Sequence, residues 1–236
     1  MTDIKKKIND LILEIERGNI DPKEAWRKIR ELKNVYTKQY SEQSWHVYIG
    51  NKFQNIIYST LKGYFNRLKR QDRKFENLSV LTQNEVEKNE IIHRKLAVKY
   101  GEYLLLPDAD IVVVDYNFED PWKSVILAII SCKTSLRERI AQSCYWKLKL
   151  LSSDITKNIR VFLATTDNDE DFPLRTDRGK YGGKHRNRII AEYELDGVYI
   201  LREDFKEEWE SDKVKRYERI FNDLVEIFRN ARKNCF

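Results

Sequence analysis

The sequence predicts an α/β (α+β) protein in which a mixed central sheet is flanked by helices and preceded by a helical N-terminal region. Three observations lead to this fold class. Apolar residues recur at helical spacing through the first 70 residues. From Leu104 the pattern changes to β-branched runs that are typical of buried strands. An amphipathic helical pattern returns from Val214 to Lys233, so helices should enclose the strands.

The N-terminal part of the chain is expected to form a helical hairpin. Residues 4–17 place isoleucine and leucine on one helical face. Asp21 is the expected N-cap of a second helix, with Pro22 at its first position. We therefore divide the chain into a helical N-terminal region, residues 1–40, and one domain over residues 41–236.

The remaining elements follow from the same patterns. Further helices are expected over residues 44–70, 85–100, 135–151 and 214–233, and strands over residues 104–115, 125–133, 159–165 and 195–201. A polar turn, Asn117–Lys123, joins the first two strands. We expect these two strands to pair as a hairpin.

Composition excludes several classes of protein. The 236 residues are 41% hydrophobic and 35% charged, and the longest apolar runs are Ile111–Val114 and Val125–Ile130. A transmembrane helix needs about 20 apolar residues, so no membrane association is expected, and no apolar segment after the N-terminal lysines indicates a signal peptide. The three cysteines have no CxxC spacing, which argues against disulfides and a cysteine zinc site and fits a reducing cytoplasm.

Positive charge is concentrated in patches. The formal net charge is +6, and residues 61–76 and 172–190 each hold six Lys or Arg against two and one acidic residues, respectively. Such patches favour a polyanionic partner, although solvated loops would give the same pattern.

Two carboxylates begin one predicted strand and a lysine ends the next. Asp108 and Asp110 share a strand face because residues two apart point the same way. In a hairpin, Lys133 would meet them at one edge of the sheet. Carboxylate oxygens suit Mg²⁺, which polarises a phosphodiester, while a lysine orients water and offsets negative charge. The alternative is two strand caps and a surface lysine.

The chain also carries Pro107-Asp108, Ser131-Cys132-Lys133 and Arg137-Glu138-Arg139. With these residues it resembles the PD-(D/E)xK nucleases, and among them the type II restriction endonucleases that recognise CCGG or CCNGG, the BsaWI type included. The resemblance implies a restriction-endonuclease-like fold, Mg²⁺ but no organic cofactor, and sequence-specific cleavage of double-stranded DNA. It also implies a homodimer, because a palindromic site presents two strands.

The group's pattern implies that Arg137, Glu138 and Arg139 contact base edges. The chemistry agrees, because arginine donates bidentately to guanine and a carboxylate accepts from cytosine N4. The alternative is an ordinary charged first turn of a helix. Gln142 and Tyr145 are similar to a Gln-x-x-Tyr feature of RecB-like nucleases that supports substrate placement.

The chain departs from the group's pattern at its acidic positions. The second acid expected on the helix after Lys133 is Trp146 here, and the Asp/Glu position of the (D/E)xK motif is Ser131. An early helix offers Gln54 where the group often has a glutamate. One metal ligand is thus unassigned, and Asp110, Glu102 or Glu90 could supply it.

A glycine-containing basic loop is the second candidate DNA contact. Residues 175–188 hold six basic residues, among which Lys184, Arg186 and Arg188 are expected to contact phosphates rather than bases. A solvated loop is the alternative. Together with this chemistry, the resemblance implies a restriction endonuclease. The alternatives are a repair-type nuclease without sequence specificity and a non-catalytic DNA-binding protein on a decayed nuclease fold.

Overall fold

The computed structural model describes residues 4–136, 139–175, 177 and 181–233. The chain groups into two compact units, Met1–Glu76 and Asn77–Phe236. The expected boundary between residues 40 and 41 lies inside the first unit. The assignment of residues 1–40 to a helical N-terminal region and of residues 41–236 to the nuclease domain stays a prediction.

The first unit is helical in its described part. Its helices are α1 (Ile4–Arg17), α2 (Pro22–Glu31), α3 (Lys33–Thr37) and α4 (Glu42–Gln71). The Asp21 side chain accepts hydrogen bonds from the backbone N–H groups of Lys23 and Glu24, which confirms the expected N-cap. Gly63 of α4 faces α1 so closely that a Cβ there would lie 2.2 Å from the Glu16 carbonyl oxygen, so only glycine permits this approach.

The second unit is built on a mixed sheet. The strands in chain order are β1 (Leu78–Thr82), β2 (Val98–Tyr100), β3 (Tyr103–Leu105), β4 (Ile111–Asp115), β5 (Val125–Lys133), β6 (Arg160–Thr165), β7 (Gly197–Ile200) and β8 (Val214–Arg216). In the described part of the chain, six of them form one sheet in the order β1-β4-β5-β6-β7-β8, while β2 and β3 pair separately. β4 is antiparallel to both of its neighbours, β1 and β5, and β5 to β8 run parallel to one another.

Helices cover this sheet. They are α5 (Gln83–Lys88), α6 (Glu90–Leu96), α7 (Arg139–Leu151), α8 (Arg186–Glu194) and α9 (Arg219–Lys233). All four residues Ile111–Val114 are buried, which requires cover on both faces of the sheet. The predicted fold class, a mixed sheet flanked by helices, is confirmed. No helix among the described residues is long and apolar enough to cross a bilayer.

Several predicted elements are shorter than expected. The predicted strand over residues 104–115 is interrupted between β3 and β4, where Pro107 supplies no N–H for a ladder. The predicted helix over residues 85–100 was wrong as one element. Asn89 ends α5 and caps α6, its side chain accepting from the Ile92 N–H, and the rest of the segment forms β2.

The sheet topology creates one edge that gathers polar side chains. β4 and β5 pair as the expected antiparallel hairpin, with Ile111 opposite Ile130. The start of β4 therefore lies beside the end of β5. β6 runs parallel to β5, with Thr165 opposite Lys133. The residues that follow β5 and β6 thus leave the sheet side by side.

Candidate active site

Asp108, Asp110 and Lys133 meet at this edge of the sheet. The Lys133 ammonium lies 3.0 Å from Oδ2 of Asp110 and 3.7 Å from Oδ2 of Asp108. The sequence prediction that these three side chains come together is confirmed as geometry. Their catalytic roles stay a prediction at this point.

The two carboxylates differ in environment. The Asp110 side chain is only 6% exposed, and its Oδ2 also accepts a hydrogen bond of 2.6 Å from the Cys132 backbone N–H. The Asp108 side chain is 33% exposed. Asp110 is therefore held rigidly by β5, whereas Asp108 is accessible from solvent.

Cys132 lies between these groups without a reactive thiol. Burial, reinforced by the nearby Asp110 charge, holds the pKa of the Cys132 thiol well above its usual value. The backbone N–H of Cys132 is its contribution to the site. The side chain packs in the interior, where it is 5% exposed.

In the part of the chain that the structure describes, no third acidic residue joins the two aspartates. Among the described residues, no group of three or more His, Cys, Asp or Glu side chains has the arrangement of a metal site. Glu90 pairs with Arg94 at 2.7 Å on the surface of α6, and Glu102 is exposed in the turn between β2 and β3. Trp146, at the position of the missing acid, packs edge-on against Tyr100 and Tyr145.

The segment after Lys133 leads into α7. Arg137 and Glu138 lie outside the described residues. Arg139 begins the described part of α7 and is exposed, as is Gln142 one turn later. The Tyr145 hydroxyl is 2.7 Å from that of Tyr100, so this tyrosine joins α7 to β2.

The loop after β6 contacts the segment between Lys133 and α7, which the sequence analysis missed. The Asp169 carboxylate accepts hydrogen bonds from Ser135 Oγ (2.5 Å) and from the Leu136 N–H (2.9 Å). The Thr134 carbonyl accepts from the Asn168 N–H and from Thr166 Oγ1. The available signal was the polar run that begins at Thr166, directly after the buried strand β6, which is parallel to β5.

The basic loop contributes fewer accessible cations than its sequence suggests. Lys184 bonds to Glu192 at 2.5 Å and keeps 36% of its side chain exposed, and Arg186 is exposed. Arg188 corrects the prediction, because it is 1% exposed and donates to Glu192 and to the carbonyls of Phe172 and Trp209. Its guanidinium is engaged in the core, so it has no free face for a phosphate.

The site combines a fixed carboxylate, an accessible carboxylate and an ammonium. A hard divalent cation prefers carboxylate oxygens as ligands. An ammonium beside them offsets negative charge that develops on a substrate. Among the described residues named here, the site includes no histidine beside a nucleophilic side chain, the pair that acyl transfer commonly uses. It is suited to a phosphate ester more than to acyl transfer.

Two solved restriction endonucleases are similar to this chain at low identity. The PspGI–substrate DNA complex matches with a TM-score of 0.47 and 14% identity, covering 98% of this chain and 94% of that one. Kpn2I matches with a TM-score of 0.35 and 16% identity, covering 86% of this chain and 71% of that one.

Sequence relatives are much more similar. A Methanocaldococcus jannaschii protein with the provisional name type II restriction enzyme MjaVIP is 40% identical over 227 residues, 92% of this chain and 95% of the relative. A Helicobacter pylori protein with the provisional name type II restriction enzyme HpyAORF263P is 37% identical over 128 residues, 54% of this chain and 62% of the relative. The family model for BsaWI restriction endonuclease type 2 matches residues 85–223, which include Asp108, Asp110 and Lys133. This chain therefore belongs to the BsaWI family of type II restriction endonucleases.

Proposed function

We propose that this restriction endonuclease cleaves double-stranded DNA in a Mg²⁺-dependent reaction with Asp108, Asp110 and Lys133 as its catalytic centre. The observation that supports this assignment is the position of the Lys133 ammonium, 3.0 Å and 3.7 Å from the two carboxylates. These residues lie inside the segment that the family model matches.

The donor set fits Mg²⁺. Proteins hold this ion through one or two carboxylates and leave several of its waters in place, so two aspartates suffice without a third acid. When bound, the ion would polarise the scissile phosphate and lower the pKa of a bound water. Asp108, which is accessible, and Asp110, which is buried, would hold it.

Lys133 would act on the substrate side of the centre. Its side chain is 12% exposed and is fixed by Asp110, so its ammonium has little rotational freedom. An ammonium held in this way orients a water molecule and offsets the charge that develops on the phosphate, without reorganising during the reaction. The buried Asp110 keeps that ammonium in place.

Recognition would involve the start of α7. We propose that Arg137, Glu138 and Arg139 contact base edges of a CCGG- or CCNGG-type site, with Gln142 one turn further on the exposed surface. Arg139 and Gln142 are both exposed, which such contacts require. Lys184 and Arg186 would contact phosphates.

The enzyme would act as a homodimer, because the two strands of a palindromic site require two active sites related by a two-fold axis. The segment at residues 85–100 and the N-terminal helical hairpin are the two candidate interfaces. Sedimentation velocity with and without a DNA duplex would test the dimer. The enzyme would belong to a restriction–modification system and would cleave double-stranded DNA in the cytoplasm.

Incubation with phage DNA tests the proposed function. Wild-type protein should produce discrete fragments with Mg²⁺ and none with EDTA. A Lys133→Ala variant purified in the same way is the control for contaminating nucleases, because it should not cleave. A smear would support a repair-type nuclease without sequence specificity, and intact DNA that is nevertheless retarded in a gel would support a non-catalytic DNA-binding protein.

A further inference from the structure

Four hydrogen bonds tie the loop after β6 to the segment Thr134–Leu136. Asp169 accepts from Ser135 Oγ and from the Leu136 N–H, at 2.5 Å and 2.9 Å. The Thr134 carbonyl accepts from the Asn168 N–H at 3.1 Å and from Thr166 Oγ1 at 3.2 Å. The partners are more than 30 residues apart in the chain, so these contacts fix tertiary structure rather than a local turn.

The tethered segment joins the two functional parts of the proposed site. Lys133 precedes it at the end of β5, and Arg137, Glu138 and Arg139 follow it. Leu136 is 1% exposed, so the segment is anchored on its inner side by an apolar contact and on its outer side by Asp169. Any rotation of this segment would move the base-contacting residues relative to the catalytic lysine.

We propose that Asp169 is a positioning residue that holds Thr134–Leu136, and with it the start of α7 at Arg139, in place relative to Lys133 and thereby links base contacts to cleavage. The inference rests on the proposed function of the same site. Asp169 touches neither the two aspartates nor Lys133 in the structure's hydrogen bonds, so it acts through Ser135 and Leu136. Carboxylate bonds to backbone N–H groups are among the stronger hydrogen bonds in proteins.

Charge at this position also suits the start of a helix. Asp169 bonds to the segment that enters α7, where the helix dipole favours a negative group. Arg139 begins the described part of α7, at the end of the helix dipole where arginine is disfavoured.

Cleavage of a cognate duplex and of a duplex with one changed base pair tests the proposal. In single-turnover assays, Asp169→Ala should lower the cognate rate by about 10- to 100-fold, because small displacements of aligned groups have effects of this size. The ratio of cognate to changed-duplex rates should fall by about 10-fold. Asp154→Ala is the matched control, since Asp154 is an exposed aspartate whose side chain pairs with nearby Lys157.

The conservative variant separates positioning from charge and from folding. Asp169→Asn keeps an oxygen that accepts both hydrogen bonds, so it should retain most of the discrimination that Asp169→Ala loses. An unchanged ratio in Asp169→Ala would overturn the proposal. Equal losses in the Asn and Ala variants would also overturn it, because they would assign the effect to charge alone.

Hydrogen exchange gives a readout that does not depend on cleavage. In Asp169→Ala the Leu136 amide should exchange about 10-fold faster, since it loses its acceptor, whereas Asp154→Ala should leave it unchanged. Unchanged exchange in Asp169→Ala would overturn the tether, whatever the activity. A wild-type protein that cuts no DNA would refute the proposed function instead, and the exchange result would still decide the tether.

Discussion

Replacing Lys133 with alanine should abolish cleavage and leave specific DNA binding nearly intact. The ammonium lies 3.0 Å from Asp110 Oδ2 and 3.7 Å from Asp108 Oδ2. At an effective dielectric constant of about 20, each attraction is roughly 5 kcal/mol before desolvation is counted. The lysine is thus held by two aspartates at the proposed active-site edge, and it precedes Arg139, at the exposed start of α7, by six residues.

The expected loss is in the chemical step. Removal of one preorganised electrostatic group lowers kcat by about 10²- to 10³-fold, so the single-turnover rate at saturating DNA should fall by at least that factor. Affinity for the cognate duplex should change by less than about threefold. The lost ammonium opposes cation binding, so its removal should not weaken Mg²⁺ binding. Raising the Mg²⁺ concentration should therefore not restore the rate.

Gel-shift titration and single-turnover cleavage measure the two quantities separately. Lys157→Ala is the matched control, because Lys157 is a half-exposed lysine that also pairs with an aspartate, Asp154, at 2.6 Å. Equal losses of binding and cleavage in Lys133→Ala would refute the assignment, and so would full recovery of the rate at high Mg²⁺. Thermal melting of both variants checks that the fold is intact.

Three further predictions follow from the same structure. Asp108→Asn and Asp110→Asn should each raise the Mg²⁺ concentration needed for half-maximal cleavage, and a Mg²⁺ titration that is unchanged in both would contradict the placement of the metal. Arg139→Ala should cost roughly 1–3 kcal/mol in affinity for the cognate duplex and much less for a random duplex. Arg186→Ala should weaken binding to both duplexes alike and reduce the slope of log affinity against log salt concentration by about one. Identical behaviour of the two variants in titrations at two salt concentrations would oppose this distinction. Burial raises the pKa of Asp167 from 3.8 to about 6 although the N–H groups of the following turn donate to it. The ionised form of Asp167 is thus disfavoured in the folded state. Wild type should therefore lose about 3 kcal/mol of unfolding free energy relative to Asp167→Asn as pH rises from about 4 to above 6. Urea unfolding at several pH values checks this, and parallel profiles of unfolding free energy against pH in the two proteins would argue against it.

The sequence predicted the centre of the site because it lies on a local hairpin. β4 and β5 are β-branched, buried and joined by a short polar turn, so their antiparallel pairing follows from neighbouring residues. That pairing alone brings Asp110 to Lys133. The long helix α4 and the N-cap at Asp21 were predictable for the same reason, since their signals are local.

Features that depend on distant contacts were not predictable. The sequence pattern includes Val214–Arg216 in the C-terminal helix, but these three residues form β8. So short a strand forms only because it pairs with β7, which is a distant contact. Arg188 has the sequence context of a phosphate contact, yet the core it enters is built from residues far along the chain. Asp169 belongs to a polar run whose partner segment is identified only by the parallel arrangement of β5 and β6.

Sequencing the ends of every fragment from one digested plasmid tests whether the enzyme cleaves DNA at a specific sequence. Wild-type protein with Mg²⁺ should cut the plasmid at a fixed set of positions, and all ends should share one short palindromic sequence. Lys133→Ala should leave the same plasmid intact under the same conditions. Ends without a common sequence, or the same fragments from the lysine variant, would contradict the account.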